Sequence, residues 1–102
     1  MIRIEEKRID AKDVAGLIAK ALPDHGSIEV QRDVPGKEHV WHAHEVDETI
    51  VLLDGQLRFY WGEGERLCSP GDVICLPART PHGSVALASG ATYLIAFHYI
   101  RI

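Results

Sequence analysis

A chain of 102 residues fits one domain with a modest core, and 46% hydrophobic residues is an ordinary globular value. A net charge of −4, with no block of like charge, lacks the basic footprint of a nucleic-acid binder. No apolar run reaches bilayer-spanning length, and the opening Met1-Ile2-Arg3-Ile4-Glu5-Glu6-Lys7 has no apolar signal segment, so the expected protein is cytoplasmic and makes no membrane contact.

In chain order, residues 1–26 read as a strand and a short helix packed on the rest of the chain. Val14, Leu17, Ile18 and Ala21 recur at helical spacing, with Asp10 as the expected N-cap, Asp13 as a weaker capping acid, and Pro23 to Gly26 as the stop. A helix this short needs its apolar stripe packed on something larger.

Residues 27–102 read as β throughout. In Ser27–Val34, Ile28 and Val30 mark one face and Glu29 and Gln31 the other, and Arg32 interrupts the apolar face, which predicts a bulge or an approach to the surface. Pro35-Gly36 is a turn and Val40–His44 a short strand. The apolar run Thr49–Leu53 ends at Asp54-Gly55, a hairpin signal, before Leu57, Phe59 and Trp61 alternate with Arg58 and Tyr60. After a turn at Gly62–Glu65 come strands at Arg66–Cys68, Val73–Leu76, Ser84–Leu87 and Thr92–Ile100. Many short strands with closely spaced turns predict an all-β sandwich or barrel forming one domain in total. Cys68 and Cys75 are expected to be reduced, buried small hydrophobes.

The chemistry sits in His42-Ala43-His44, followed by Glu48 and, much later, His82. Side chains at i and i+2 of a strand share a face, so His42 and His44 aim both imidazoles into one cavity. Neutral imidazoles with one carboxylate suit a divalent transition metal, and a metal with open positions activates small molecules. The bland alternative is a metal-free polar pocket. His39 is expected at the surface on the opposite strand face from His42, His25 is expected to be solvated, and His98 to be satisfied by a local hydrogen bond or to line the pocket. Arg58 and Tyr60 share a face; turned inward they would orient an oxygenated ligand, turned outward they are surface residues. Trp41, on the other face from His42, is expected to pack between sheets.

The spacing Gly36-(five residues)-His42-Ala43-His44-(three residues)-Glu48-(six residues)-Gly55 resembles the first signature motif of the cupin superfamily at all five fixed positions. The stretch Gly71-(five residues)-Pro77-Ala78-Arg79-(two residues)-His82 resembles the second, with Arg79 where the family usually has glycine and Ala86 where it usually has asparagine. The resemblance spans about half the chain, Gly36 to Ala86. It implies a small double-stranded β-helix, or jelly-roll barrel, with a short N-terminal helix. It also implies that His42, His44, Glu48 and His82 ligate one metal near the barrel centre. Iron, nickel, manganese, copper and zinc are all chemically admissible.

Function is expected to be metal-dependent, with dioxygenase-type oxidation of a small metabolite as the leading enzymatic reading. The alternatives are a non-catalytic sensing or metal-binding module and, lower, a sugar isomerase or epimerase. Fold resemblance alone does not choose among them. The expected partners are a small-molecule ligand and a second copy of the chain, since Ile2/Ile4 and Ile100/Ile102 suggest edge strands for pairing.

Overall fold

Two long strands organise the molecule, and each bends to serve two neighbourhoods. The computed structural model describes all 102 residues, as β1 (Arg3–Glu5), α1 (Val14–Ala21), β2 (Ile28–Asp33), β3 (Glu38–His42), β4 (Glu48–Trp61), β5 (Gly64–Cys68), β6 (Val73–Leu76) and β7 (His82–Ala96). All pairings are antiparallel. The central β4 and β7 pair along most of their length, from Thr49–Ala96 to Trp61–His82. Early β4 residues also pair with β6, and late ones with β5. On β7 the late residues pair with β2 and the early ones with β3. The expected all-β barrel of jelly-roll type with one short helix is what the chain forms.

Asp54-Gly55 does not make the expected hairpin. The two runs on either side of it are one strand, with register shifts at Leu52/Asp54 and Gly55/Leu57. Gly55 takes φ +73° opposite Gly90, also at φ +73°, and a Cβ on Gly55 would lie 2.0 Å from the Gly90 carbonyl oxygen. The pair of glycines lets both backbones bend together with no side chain between them. Likewise, the strands expected at Ser84–Leu87 and Thr92–Ile100 are one strand that ends at Ala96.

The apolar run of β4 is buried on both faces, which explains its lack of alternation. Ile50 and Leu52 join Leu57, Phe59, Ile74 and Leu76 inside the barrel. Val51 faces the other way, with Val73, Leu94 and Ala96, against Leu17 and Ala21 of α1. Asp13, not Asp10, caps this helix: its carboxylate accepts from the Gly16 N–H at 3.1 Å, while Asp10 closes the turn before it by accepting from Lys12 N–H at 3.0 Å. Leu22, followed by Pro23, ends the helix.

The edges differ from expectation at the C-terminus. Of the two expectations for Arg32 the surface one holds: the β2–β7 register is unbroken, and the exposed guanidinium lies 3.9 Å from Asp54. The β1 strand pairs with β6 at the sheet edge, but Ile100 and Ile102 form no strand. Ile100 is tucked into the cluster under the helix, where its N–H donates to Thr49 Oγ1 at 3.0 Å. Cys68 and Cys75 are buried and unpaired, and burial, aided by Asp72, pushes the Cys68 thiol up to about 12.

Leu17, only 2% exposed, is the main peg joining α1 to the sheet. Leu17→Ala is expected to cost about 2–5 kcal/mol in chemical denaturation, the range for truncating a buried leucine, while leaving the histidine cavity on the far side of β4 intact. A cost below about 1 kcal/mol would mean that the helix is not packed as described.

Candidate metal centre

The candidate residues sit at strand ends. His42 is the last residue of β3 and pairs directly with His82, the first of β7. Glu48 is the first residue of β4. His44 lies two residues beyond the end of β3, which stops earlier than expected. Its ring nevertheless lies 4.8 Å from that of His42 and 5.4 Å from that of His82, and the His42 and His82 rings are 4.4 Å apart. One nitrogen from each of the three imidazoles falls within 4.8 Å of the other two, a set able to hold a metal ion.

Ring orientation follows from the backbone. The Nδ1 of His42 lies 2.6 Å from the Val40 carbonyl, and that of His82 lies 2.9 Å from the Thr80 carbonyl. A carbonyl only accepts, so each Nδ1 carries the proton and each Nε2 presents a lone pair, the arrangement that orients a metal-ligating histidine. Burial holds the His82 imidazolium below its usual range, and His42 and His44 add to this against the opposing Thr80 hydrogen bond, so the ring stays neutral. Glu48 is 6% exposed, with Oε2 3.8 Å from His44 Nδ1. Burial raises its pKa, although His44 and His42 pull it back down. A buried carboxylate is stabilised by a cation beside it, and a divalent metal would supply one. The three imidazoles therefore fit a transition metal, with Glu48 beside them rather than within the converging set.

The loop bearing His82 is tied to the loop bearing His44. Arg79 N–H donates to the His44 carbonyl at 2.6 Å, Ala78 N–H donates to Asp47 at 2.8 Å, and the Arg79 guanidinium reaches Glu45 at 3.4 Å. Arg79 has φ +59°, a left-handed conformation that glycine adopts without strain, so its difference from the motif falls where the backbone most favours glycine.

The trio and Glu48 open into a cavity of about 320 Å³ with a mostly apolar body that includes Ile50, Phe59, Ile95 and Phe97. Phe59 stacks on His82 with ring centroids 5.5 Å apart. No lysine or arginine lines this cavity. Arg58 and Tyr60 do not reach it. They line a separate, shallower surface depression of about 570 Å³ with Trp41 and Glu65, which holds no comparable cluster of ligating side chains. There Arg58 pairs with Glu65 at 3.2 Å, and Tyr60 donates to Glu38 at 2.8 Å. Trp41 is exposed and meets Tyr60 edge-on, rather than packing between sheets. His98 lies beyond the end of β7 and outside the cavity, and its carbonyl accepts from Thr49 Oγ1 at 2.7 Å.

His39 lines the cavity, contrary to the surface position expected from strand alternation. The β3–β7 register slips between His39 and His42, adding one residue on β3, so both side chains turn the same way. Behind His39 lies a polar network that the sequence reading missed. Asp33, 4% exposed, accepts from Tyr93 Oη at 2.7 Å, from Gln31 Nε2 at 3.1 Å and from His39 Nε2 at 3.1 Å. Its signal was present: Glu29, Gln31 and Asp33 put three polar side chains on one face of β2, and that face points inward.

Residues 29–98 match the model of the Cupin domain family, so the chain, with its jelly-roll barrel and inward histidines, belongs to that family. No curated protein matches it. Among solved structures, TT1209 from Thermus thermophilus is similar at 25% identity over 89% of this chain and 100% of that one, with a TM-score of 0.62. A cupin-2 domain protein from Shewanella frigidimarina is 21% identical over 90% and 96%, at TM-score 0.60. KdgF from Halomonas is 22% identical over 72% and 82%, also at TM-score 0.60.

Burial raises the Asp33 pKa, but the hydrogen bonds from Tyr93, His39 and Gln31 outweigh it, and the net shift is downward from 3.8. A depressed carboxylate pKa stabilises the fold above its unfolded value, and the contribution is lost as pH falls through the folded pKa. Asp33→Ala also orphans buried donors, at about 1–3 kcal/mol each. The variant should therefore unfold several degrees below wild type at pH 7, with the gap narrowing as thermal scans move below pH 4. A gap independent of pH would refute the ionised Asp33.

Proposed function

We propose that the protein is a metal-dependent cupin. His42, His44, His82 and Glu48 hold one divalent transition metal, and the cavity beside it takes a small, largely apolar ligand. What carries this reading is the convergence of the three imidazoles with both Nδ1 protons of the His42–His82 pair committed to backbone carbonyls. A metal there supplies Lewis acidity and a place to bind oxygen or a chelating ligand. The protein's own part is to orient the ligand against Phe59 and Phe97 and to limit water in the cavity.

Dioxygenase-type oxidation of a small metabolite is the reaction class this cavity serves best. An uncharged aromatic or enolic ligand matches walls that carry no cationic side chain, whereas a sugar isomerase or epimerase would find no lysine in them. The test is metal analysis of the purified protein with oxygen uptake over a panel of diketones, thiols and catechols. About one metal per chain is expected, lost in His82→Ala, with uptake on one panel member. A protein that takes up no metal would refute the reading. Tight binding of one member without turnover would assign it to sensing instead.

Assembly as a homodimer is part of the proposal, since Val34, Val40 and Trp41 leave apolar side chains more than half exposed. Light scattering at micromolar concentration should give twice the 11.3 kDa chain mass; a monomer there would contradict it.

A further inference from the structure

We propose that His39 is the proton acceptor of this cavity, and that its ligand is a neutral molecule carrying an acidic hydroxyl of the phenol, catechol or enol class. The inference rests on the reading of the cavity as a ligand site and adds to it a residue outside the proposed metal set.

The argument begins with the buried Asp33. As an ionised carboxylate it only accepts, and His39 Nε2 lies 3.1 and 3.2 Å from its two oxygens. His39 Nε2 therefore carries the proton. The Gln31 amide nitrogen, 3.1 Å from the same Nε2, donates to Asp33 and to Tyr93 Oη, which accepts at 2.8 Å. Tyr93 in turn donates to Asp33, closing the network. With Nε2 committed, Nδ1 of His39 holds a lone pair and has no hydrogen-bond partner in the protein. Its ring is about one-third exposed, in the wall shared with His42, His44, His82 and Glu48. His39 stands apart from the converging trio of His42, His44 and His82, and its Nε2 is already held by Asp33.

The lining defines what such a base would act on. The wall holds no lysine or arginine to pair with an anionic ligand, and Glu29 in it disfavours one. A neutral ligand enters freely and loses its proton in place. The ligand O–H bond breaks, the proton forms an N–H bond at His39 Nδ1, and the electron pair stays on the ligand oxygen. The imidazolium charge is balanced through Nε2–H by Asp33, a carboxylate already held ionised by its donors. The titratable groups around His39 are Asp33 and Glu29 of β2, Tyr93 and His82 of β7, Glu48 and Tyr60 of β4, Glu38 and His42 of its own strand, and His44 just beyond it. Of these Asp33 alone bonds the ring directly.

The probe is 4-nitrocatechol, whose visible spectrum distinguishes neutral from ionised hydroxyl. It is titrated into the full chain as purified and after chelation, about one pH unit below the point where the free probe is half ionised. Wild type should bind it in the ionised form in both preparations. His39→Gln should bind at least tenfold more weakly or leave the bound probe neutral, at unchanged metal content. Asp33→Asn should fall between the two. Nitrogen-15 spectra of the wild-type imidazoles should show His39 protonated at Nε2 and bare at Nδ1, a readout that needs no variant to fold. The proposal is overturned if His39→Gln matches wild type in affinity and spectrum, if wild type binds the probe neutral or not at all, or if His39 is bare at Nε2. Absence of metal from wild type would count against the metal centre alone, because the chelated sample reads His39 independently.

Discussion

The pairing of His42 with His82 across β3 and β7 is the constraint on which the rest depends. It brings residues forty apart in sequence into register at one end of the barrel. Backbone carbonyls then fix both rings, so each Nε2 is turned out by the fold itself. Side-chain partners would leave such rings free to rotate, and mutual repulsion or water would scatter them. Here the polarity of the site is set by the strand ends, and His44 and Glu48 are added by the short connection between β3 and β4.

That register exists because two strands are unusually long and bent. A straight β4 would keep its β6 and β5 partners in one flat sheet and leave the interior open. The opposed glycines at 55 and 90 let β4 and β7 turn together, so the same two strands build the apolar barrel interior and the surface on which α1 packs. The extra β3 residue before His42 has a comparable local effect. It rotates His39 into the wall and couples the histidine end of the cavity to the buried Asp33 network.

Much of this was legible in the sequence. The His42–His44 spacing, the onset of β4 at Glu48 and the fixed glycines of the first motif all carry direct geometric meaning, and the helical period of Leu17 and Ala21 located α1. What was not legible depended on pairing. Asp54-Gly55 has the chemistry of a hairpin turn, and only the presence of Gly90 across the strand makes it a bend. Alternation placed His39 outward because a bulge leaves no mark in one strand read alone. Arg58 and Tyr60 share a face, but which face is inward follows from β5 and β3 closing over the other side. Alternation in β2 set Glu29 and Gln31 on one face without saying which face is inward, and the interior of this barrel is polar at that end.

Diffraction from crystals soaked in manganese or zinc, with anomalous data collected at the metal edge, tests the central claim most directly. One strong peak is expected between the Nε2 atoms of His42 and His82 and the ring of His44, with Glu48 alongside and the Nδ1 atoms of His42 and His82 still on their carbonyls. A peak elsewhere, or coordination through Nδ1 of His42 or His82, would contradict the account.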